Sequence, residues 1–206
     1  MAAATAGGSS GDERRWSLAG ATALVTGGSR GIGRAVVEEL AGLGARVHTC
    51  SRSAVGLEEC RRRWAEKGLR VTVSACDVAV RADRERLVDT VRAAFDGKLD
   101  ILVNNAGQVV FKAAAEYTAE YSRLMAVNLE PCFHLSQLAH PLLLNAASIA
   151  AGGASVVNVS SIAGMLAYDG LMLHGVAKGA MNQLTRSLAA EWARDRIRVA
   201  ARQAWS

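Results

Sequence analysis

The sequence predicts a single-domain α/β protein with a doubly wound, Rossmann-like parallel sheet. Apolar, β-branched runs alternate with helical patterns along the 206 residues, and several runs are apolar at almost every position. A glycine-rich turn joins the first apolar run to the first helical pattern. Alternation favours parallel strands, because each helical crossover returns the chain to the same edge of the sheet. Strands that are apolar throughout suit a sheet covered on both faces. Ligands of such sheets bind outside the carboxyl ends of the strands.

The predicted strands and helices follow one another in order. The strands cover residues 21–25, 45–50, 69–75, 100–103, 154–159 and 197–200. The helical patterns cover residues 31–43, 55–67, 82–95, 117–148 and 175–194. The fourth pattern contains Pro131, which has no backbone donor, so we expect a kink at residues 128–130. A carbonyl freed in that kink beside a polar side chain would suit a bound water.

Composition argues against several classes of protein. Residues 1–15 are rich in Ala, Gly and Ser and then charged, which predicts a disordered tail rather than a signal or transit peptide. No apolar run approaches the ~20 residues that span a bilayer, so we expect no membrane segment. The net charge is +5, but no basic face carries interleaved aromatics, so no nucleic-acid partner is predicted. The four cysteines lack metal-binding spacing, which predicts no metal site and suits a cytoplasmic location.

The glycine-rich run 26–33 follows the first strand and opens the first helix. Gly27 permits a tight turn, Gly31 allows the backbone to approach a phosphate, and Gly33 lets the helix pack on the strand. A helix that begins near residue 30 presents free N–H groups and a positive dipole end to an anion. The predicted cofactor-binding residues here are Gly27, Ser29, Arg30, Gly31, Ile32 and Gly33. The alternative is an ordinary strand-to-helix loop.

The residues after the next three strands indicate which dinucleotide would bind. Ser51 and Arg52 follow the second strand, and no acidic residue appears before Glu58. Because arginine can hold a 2′-phosphate with a forked pair of donors, Arg30 and Arg52 favour NADP(H) over NAD(H). Asp77, followed by Val78, could accept a hydrogen bond from an adenine amine; the alternative is a turn aspartate. Small and amide residues after the fourth strand could pack under the cofactor, or mark only a turn: Asn104, Ala106 and Gly107.

Taken together, these motifs resemble the short-chain dehydrogenase/reductase family, most closely its plant tropinone-reductase-like members. The resemblance runs from about residue 15 to residue 199 with the motifs in the family's order. It rests on TGGSRGIG at 26–33, Asp77-Val78, NNAG at 104–107, Asn128 in MAVNLE, SSIAG at 160–164, KGA at 178–180, and LTRSLAAEWARDRIRV.

The resemblance implies a catalytic set of Ser, Tyr, Lys and Asn, but the tyrosine position holds a histidine. In the family, Ser holds the substrate carbonyl oxygen, Tyr donates the proton, and Asn carries a relay water. Lys binds the nicotinamide ribose of the cofactor and lowers the tyrosine pKa. Ser161, Lys178 and Asn128 match three of these. The family's interval of thirteen residues after Ser161 leads to His174, which also lies four residues before Lys178. The alternatives are purely structural: Ser161 would cap a loop, and Lys178 would lie on the surface of its helix.

The histidine leads us to expect that ketone reduction is lost or severely reduced. A neutral imidazole is a poor acid, and a cationic lysine nearby disfavours the imidazolium form. Tyr168 has no lysine four residues later; it is most simply a loop residue near the cleft, with a substitute-donor role as the alternative.

The resemblance also implies that a Pro-Gly motif, a substrate-covering loop and a last strand follow residue 199. Residues 200–206 resemble none of these. The prediction is therefore an incomplete NADP(H)-binding domain at 16–199, a divergent tail at 200–206, and a missing last strand and substrate loop. The family's activity implies an impaired NADPH-dependent reductase of a small carbonyl compound. The alternative is an inactive nucleotide-binding or subunit-association protein. A homodimer through helices 117–148 and 175–194 is implied as well.

Overall fold

The structure is a computed structural model that describes residues 17–204, so the predicted tail at 1–15 lies outside the described residues. Six strands form one parallel sheet: β1 (Thr22–Thr26), β2 (Arg46–Ser51), β3 (Val71–Ala75), β4 (Ile101–Asn104), β5 (Ala154–Ser161) and β6 (Ile197–Ala204). The α-helices are α1 (Gly31–Gly42), α2 (Ala54–Glu66), α3 (Arg81–Ala94), α4 (Glu120–Asn128), α5 (Glu130–Ile149) and α6 (Met172–Glu191). This confirms the predicted doubly wound α/β fold.

The order of the strands creates a switch point beside β1. The sheet reads β3-β2-β1-β4-β5-β6, so the chain winds outward to β3 and then returns to the other side of β1. At such a point the connections on the two sides diverge and leave a crevice at the carboxyl ends of the strands. All five residues of β1 are buried, as expected for a central strand with neighbours on both edges and helices on both faces.

Two apolar clusters hold the helices against the two faces of the sheet. One cluster joins Leu24 and Val156 of the sheet to residues of α3 and α5, with Leu142 only 1% exposed. The other joins Ala23 and Val25 to residues of α1 and α2, including the fully enclosed Trp64. The alternation of side chains along each strand produces this division, because successive residues face opposite sides of the sheet.

The single helix predicted at 117–148 was wrong, because this region forms two helices; the predicted position of the bend, at 128–130, was correct. The chain forms two helices, α4 and α5, that meet at Leu129, where the backbone has φ −119° and ψ −55°. Pro131 falls in the first turn of α5, where a missing N–H leaves no helical hydrogen bond unmade. The proline therefore starts a new helix rather than bending an existing one.

The sixth strand is longer than predicted. The sequence indicated a strand at 197–200, but β6 continues to Ala204 and pairs with β5 up to Ser161. The described part of the predicted divergent tail, residues 200–204, is therefore strand. Alanine, arginine and glutamine have no strong preference for strands, so the pattern ended early, while pairing with β5 extends the strand.

Candidate active site

A cleft of about 470 Å³ lies at the carboxyl ends of the strands, at the switch point beside β1. It brings together the predicted site residues Gly27, Ser29, Arg30, Gly31, Ile32, Gly33, Ser51, Arg52, Asp77, Val78, Ala106, Gly107, Ser161, His174 and Lys178. Two predicted site residues, Asn104 and Asn128, do not line it. Among the lining residues that the structure describes, Asp77 is the only acidic one, whereas Arg30, Arg52 and Lys178 are basic. The charge of the cleft therefore favours an anionic ligand.

The glycine-rich turn forms the floor of one end of the cleft. Gly31 has φ +54° and nothing within 4 Å of the point where a Cβ would project, so the backbone there is open to close approach. A Cβ on Gly33 would overlap with the carbonyl oxygen of Gly27 and with Nδ2 of Asn105. The first glycine thus leaves space for a ligand, and the second allows α1 to pack closely on the turn.

The first turn of α1 faces the cleft without a side-chain cap. Arg30 precedes the helix in an extended conformation, no side chain bonds to the helix start, and the first turn contains no acidic residue. The first N–H groups of a helix have no partner inside it, and the helix dipole adds positive potential. The helix start is therefore suited to a phosphate.

The end of β4 anchors the glycine turn through Asn105, which belongs to the NNAG run but was not among the predicted cofactor-binding residues. Its Nδ2 donates to the carbonyl oxygens of Thr26 (2.8 Å) and Gly27 (3.3 Å). The Thr26 hydroxyl in return accepts from the amides of Asn105 and Ala106, both at 3.0 Å. The signal was present in the doubled asparagine of NNAG, but the sequence does not say which asparagine reaches the turn.

The part of the cleft at the ends of β2 and β3 is lined by Ser51, Arg52 and Asp77. The Ser51 hydroxyl donates to the carbonyl oxygen of Ser53 at 3.3 Å. Asp77 accepts from the amide of Ala79 at 3.0 Å and from the Arg123 guanidinium at 3.1 Å. Burial alone would raise the pKa of Asp77, but these bonds and the charges of Arg123 and Arg52 outweigh it and lower the pKa. Asp77 is therefore an anchored carboxylate at neutral pH.

Ser161 and Lys178 stand at the end of the cleft formed by β5 and α6. The Ser161 hydroxyl accepts from the amide of Ala163 at 3.2 Å and so caps the short 3₁₀ turn Ile162–Gly164. Ser161 therefore caps this turn, as the alternative stated, and also lines the cleft. Lys178 donates from Nζ to the carbonyl oxygen of Val159 at 2.6 Å, and burial lowers the pKa of its ammonium group. Lys178 is buried and lines the cleft, so the alternative of a surface lysine was wrong.

His174 lies one turn before Lys178 on α6 and lines the same cleft. Its ring is 95% enclosed (5% exposed), and its Nδ1 is buried without a hydrogen-bond partner among the described residues. Burial is the main cause that lowers the pKa of His174; the positive charge of Lys178 lowers it further, and the backbone carbonyl of Gln108 acts against both. The imidazole is therefore neutral at physiological pH.

The two predicted site asparagines that do not line the cleft are buried and hydrogen-bonded. Asn128 is fully buried and bonds to both backbone groups of Gln108, accepting from its amide and donating to its carbonyl, each at 2.8 Å. Asn104 donates to Oδ1 of Asn158 at 2.8 Å and to the Ser136 hydroxyl at 3.3 Å beneath the sheet end. Neither side chain lines the cleft, and their predicted roles, a cofactor contact for Asn104 and a relay water for Asn128, stay predictions.

Two other classes of site have no counterpart among residues 17–204. No group of three or more His, Cys, Asp or Glu side chains in this range could hold a metal ion. No helix in the same range is long and apolar enough to cross a membrane.

Comparison with known proteins places this architecture in a family. The family model described as short chain dehydrogenase matches residues 21–204. A tropinone reductase homolog of Arabidopsis thaliana is 59% identical over 197 residues, which cover 95% of this chain and 71% of the relative. Senescence-associated protein 13 of the same plant is 57% identical over 189 residues, which cover 91% and 68%.

Solved structures agree with this family. The RhlG/NADP active-site complex of Pseudomonas aeruginosa is 36% identical with a TM-score of 0.84, covering 90% of this chain and 72% of that one. A metagenomic short-chain oxidoreductase in complex with NADP is 32% identical with a TM-score of 0.83, covering 92% and 84%. On this evidence the chain belongs to the short-chain dehydrogenase family of oxidoreductases and is similar to the tropinone reductase homologs of plants.

Proposed function

We propose that this chain binds NADP(H) in the cleft and is a tropinone-reductase-like carbonyl reductase whose turnover is lost or severely reduced. The observation that carries the proposal is the neutral, buried ring of His174 in the cleft that Ser161 and Lys178 also line. The substrate class is a small carbonyl compound or the corresponding alcohol. We assign this function to the predicted domain at residues 16–199 and keep residues 200–206 as a divergent end, although residues 200–204 continue β6.

The cleft fits a phosphate-bearing dinucleotide at several independent points. The open backbone at Gly31 and the uncapped start of α1 would receive the diphosphate. Arg30 and Arg52 supply cationic forks for a 2′-phosphate, and no carboxylate other than Asp77 lines the described cleft to repel it. Asp77 and Val78 would meet the adenine. Two structurally similar family members, RhlG and the metagenomic oxidoreductase, are complexes with NADP, which further supports this cofactor.

The proposed chemistry requires a proton at the substrate's carbonyl oxygen. Bound NADPH would supply the hydride. The Ser161 hydroxyl can donate a hydrogen bond to that oxygen, and Lys178 brings a buried positive charge to the same end of the cleft. At position 174 the family resemblance calls for a phenol that gives up its proton, but a neutral imidazole holds its N–H proton tightly. The reaction therefore lacks its proton donor at neutral pH.

A second candidate function follows from the same histidine together with the outer surfaces of the helices. In this reading the chain binds the nucleotide, or associates with another subunit, without turnover. Apolar side chains on α4, α5 and α6 support association: Tyr121 is 52% exposed, Phe133 48% and Val176 50%. These helices occupy the regions through which a homodimer was predicted.

The four cysteines are free thiols, which supports a reducing compartment such as the cytoplasm.

Thermal unfolding with and without nucleotide tests the shared part of both proposals. A ligand that binds only the native state raises the unfolding temperature by mass action. We expect saturating NADPH to raise it and NADH to raise it less. A transition that neither nucleotide moves would overturn nucleotide binding. Turnover of a panel of small ketones, followed by NADPH absorbance, then separates the reductase from the inactive binding protein.

A further inference from the structure

Two cysteines meet at the cleft in a way that the reductase chemistry does not use. Cys50 lies near the end of β2, and Cys76 follows the end of the neighbouring strand β3. The strand register pairs Cys50 with Ser74, so Cys76 lies two positions further along on the same side of the sheet, and both belong to one buried cluster in which each thiol acts on the pKa of the other. Both side chains line the cleft, although Cys50 is fully enclosed by protein and Cys76 is only 3% exposed.

The other two cysteines are placed differently. The Cys60 thiol donates to the carbonyl oxygen of Ser29 at 3.3 Å, and the Cys132 thiol donates to the carbonyl oxygen of Asn128 at 3.8 Å. All four cysteines are free thiols. Within residues 17–204, therefore, Cys50 and Cys76 are the two cysteines whose thiols act on each other. The sequence did not suggest this pair, because the two positions are far apart and become neighbours only through the order of the strands.

We propose that Cys50 and Cys76 are an oxidisable dithiol, which a peroxide entering the cleft converts to a disulfide, and that this disulfide weakens nucleotide binding. The first part rests on the interaction between the thiols and on their place at the cleft. The second part rests on the proposed function, because Ser51, Arg52 and Asp77 of the nucleotide cleft are the chain neighbours of these cysteines.

The reaction consumes one peroxide and forms one disulfide. The Cys76 thiolate attacks a peroxide oxygen, the O–O bond breaks, and hydroxide leaves to yield a sulfenic acid and, after protonation, water. Cys50 then attacks the Cys76 sulfur, an S–S bond forms, the S–O bond breaks, and a second water leaves that consists of the sulfenic OH group and the Cys50 thiol proton. Two electrons pass from the sulfurs to the peroxide. The Cys50 thiol lowers the pKa of Cys76, whereas Cys76 and burial raise the pKa of Cys50, so Cys76 is the thiol that reacts first.

The bond would change the shape of the cleft. A disulfide holds its sulfurs about 2.05 Å apart, closer than any hydrogen-bonded pair of thiols. Cys76 lies in the turn after β3, outside the strand, and β3 is the edge strand of the sheet with all of its residues at least partly exposed. The turn can therefore move more easily than β2. Its movement would displace Asp77 and Val78.

Peptide mapping of the full-length chain tests the dithiol directly, without nucleotide. After treatment with a stoichiometric amount of hydrogen peroxide, non-reducing digestion should yield a peptide that links Cys50 to Cys76 and that dithiothreitol separates. The variants Cys60→Ser and Cys132→Ser should still form this link, and Cys50→Ser and Cys76→Ser should not. Circular dichroism confirms that each variant folds. The wild-type chain alone decides the outcome, because a map without the link, or with links to Cys60 or Cys132, would overturn the proposal.

A binding measurement tests the consequence for the nucleotide. We expect the oxidised chain to bind NADPH on the order of tenfold more weakly than the reduced chain, about 1.4 kcal/mol, with recovery after reduction. Prior addition of NADPH should slow formation of the link. A link that leaves the NADPH affinity unchanged would overturn the coupling. If the link forms but the reduced chain binds no NADPH, the proposed function fails while the dithiol stands. If no link forms but the reduced chain binds NADPH, the dithiol alone is overturned.

Discussion

His174 precedes Lys178 by one helical turn on α6, and both side chains line the same cleft while almost fully buried. Burial lowers the pKa of the histidine, and the positive charge of the lysine lowers it further. The same charge would also lower the pKa of a phenol, but from about 10, so the hydroxyl would stay protonated at neutral pH and become a better acid. With histidine at position 174, Lys178 therefore disfavours the protonated form that would donate the proton.

Restoring a phenol at this position should restore proton transfer. We expect His174→Tyr to raise kcat/KM for the reduction of small ketones by NADPH about 10²-fold or more, since a positioned general acid contributes roughly 10²–10⁴-fold. His174→Phe is the matched control, because it has the same ring without the hydroxyl and should not gain activity. An equal gain in both variants would indicate that ring size, rather than acidity, limits the reaction.

The remaining reductase activity of the unchanged chain should depend on pH through His174. Its pKa lies below the ordinary value of about 6.5, so the ring is neutral above that pH and becomes an imidazolium, a competent acid, only as the pH falls through the lowered pKa. We expect the rate of ketone reduction to rise on acidification. Stopped assays across the acid range check this, with His174→Phe showing no such rise. A rate that falls with acidification in both proteins would contradict the assignment.

The fold could be predicted almost completely from the sequence, because its signals are local. Period-two and helical patterns place each strand and helix within a few residues, and alternation alone gives the parallel sheet. The failures lie where tertiary contacts decide. Strand pairing extends β6 beyond its apolar residues to Ala204, and Leu129 separates two helices that the pattern joined.

The site was less predictable, since it depends on the direction of single side chains. Asn104 and Asn105 are adjacent, yet one bonds to Asn158 under the helices and the other holds the glycine turn. Successive strand residues face opposite sides, so an error of one position exchanges a supporting role for a lining role. Contacts between neighbouring strands, such as that of Cys50 with Cys76, require the strand order, which no local pattern contains.

Arg52 should determine the preference for a 2′-phosphate. We expect Arg52→Ala to weaken NADPH binding by roughly 10-fold to 100-fold and to change NADH binding little, since a charge-assisted bond contributes about 1.5–3 kcal/mol. Arg62→Ala removes the same charge from an exposed position on α2 outside the cleft and serves as the control. Titration calorimetry with both nucleotides measures the effect. Equal weakening of NADPH and NADH would show that Arg52 does not read the 2′-phosphate.

His48 should make the fold sensitive to acid. Its ring is 2% exposed and hydrogen-bonds with the hydroxyls of Thr72 and Ser74 at 2.8 and 2.9 Å. Burial lowers its pKa to about 4, from 6.5. The unfolded chain therefore binds the proton first, and the stability that the neutral ring provides is complete above about pH 6.5 and is lost towards about pH 4.

Urea unfolding of His48→Gln measures that contribution. Between about pH 7 and about pH 5 the unchanged chain should lose about 2 kcal/mol of unfolding free energy through His48, and the variant should lack that loss. The other buried histidines remain in both proteins, so their contributions cancel in the comparison. Parallel pH profiles for the two proteins would contradict a lowered pKa at His48.

Two glycines on α1 offer a matched test of the close packing beneath the cleft. Gly33→Ala should destabilise the chain by about 1–3 kcal/mol, because its methyl group would overlap with the Gly27 carbonyl and Asn105 Nδ2. Gly42→Ala meets nothing within 4 Å on the same helix, so it should stabilise the chain by up to about 1 kcal/mol through helix propensity. Urea unfolding measures both, and thermal scans with NADPH should show that only Gly33→Ala reduces the shift caused by the nucleotide. Equal effects of the two substitutions would mean that the turn and the helix are not in contact as described, since propensity alone acts alike at both positions.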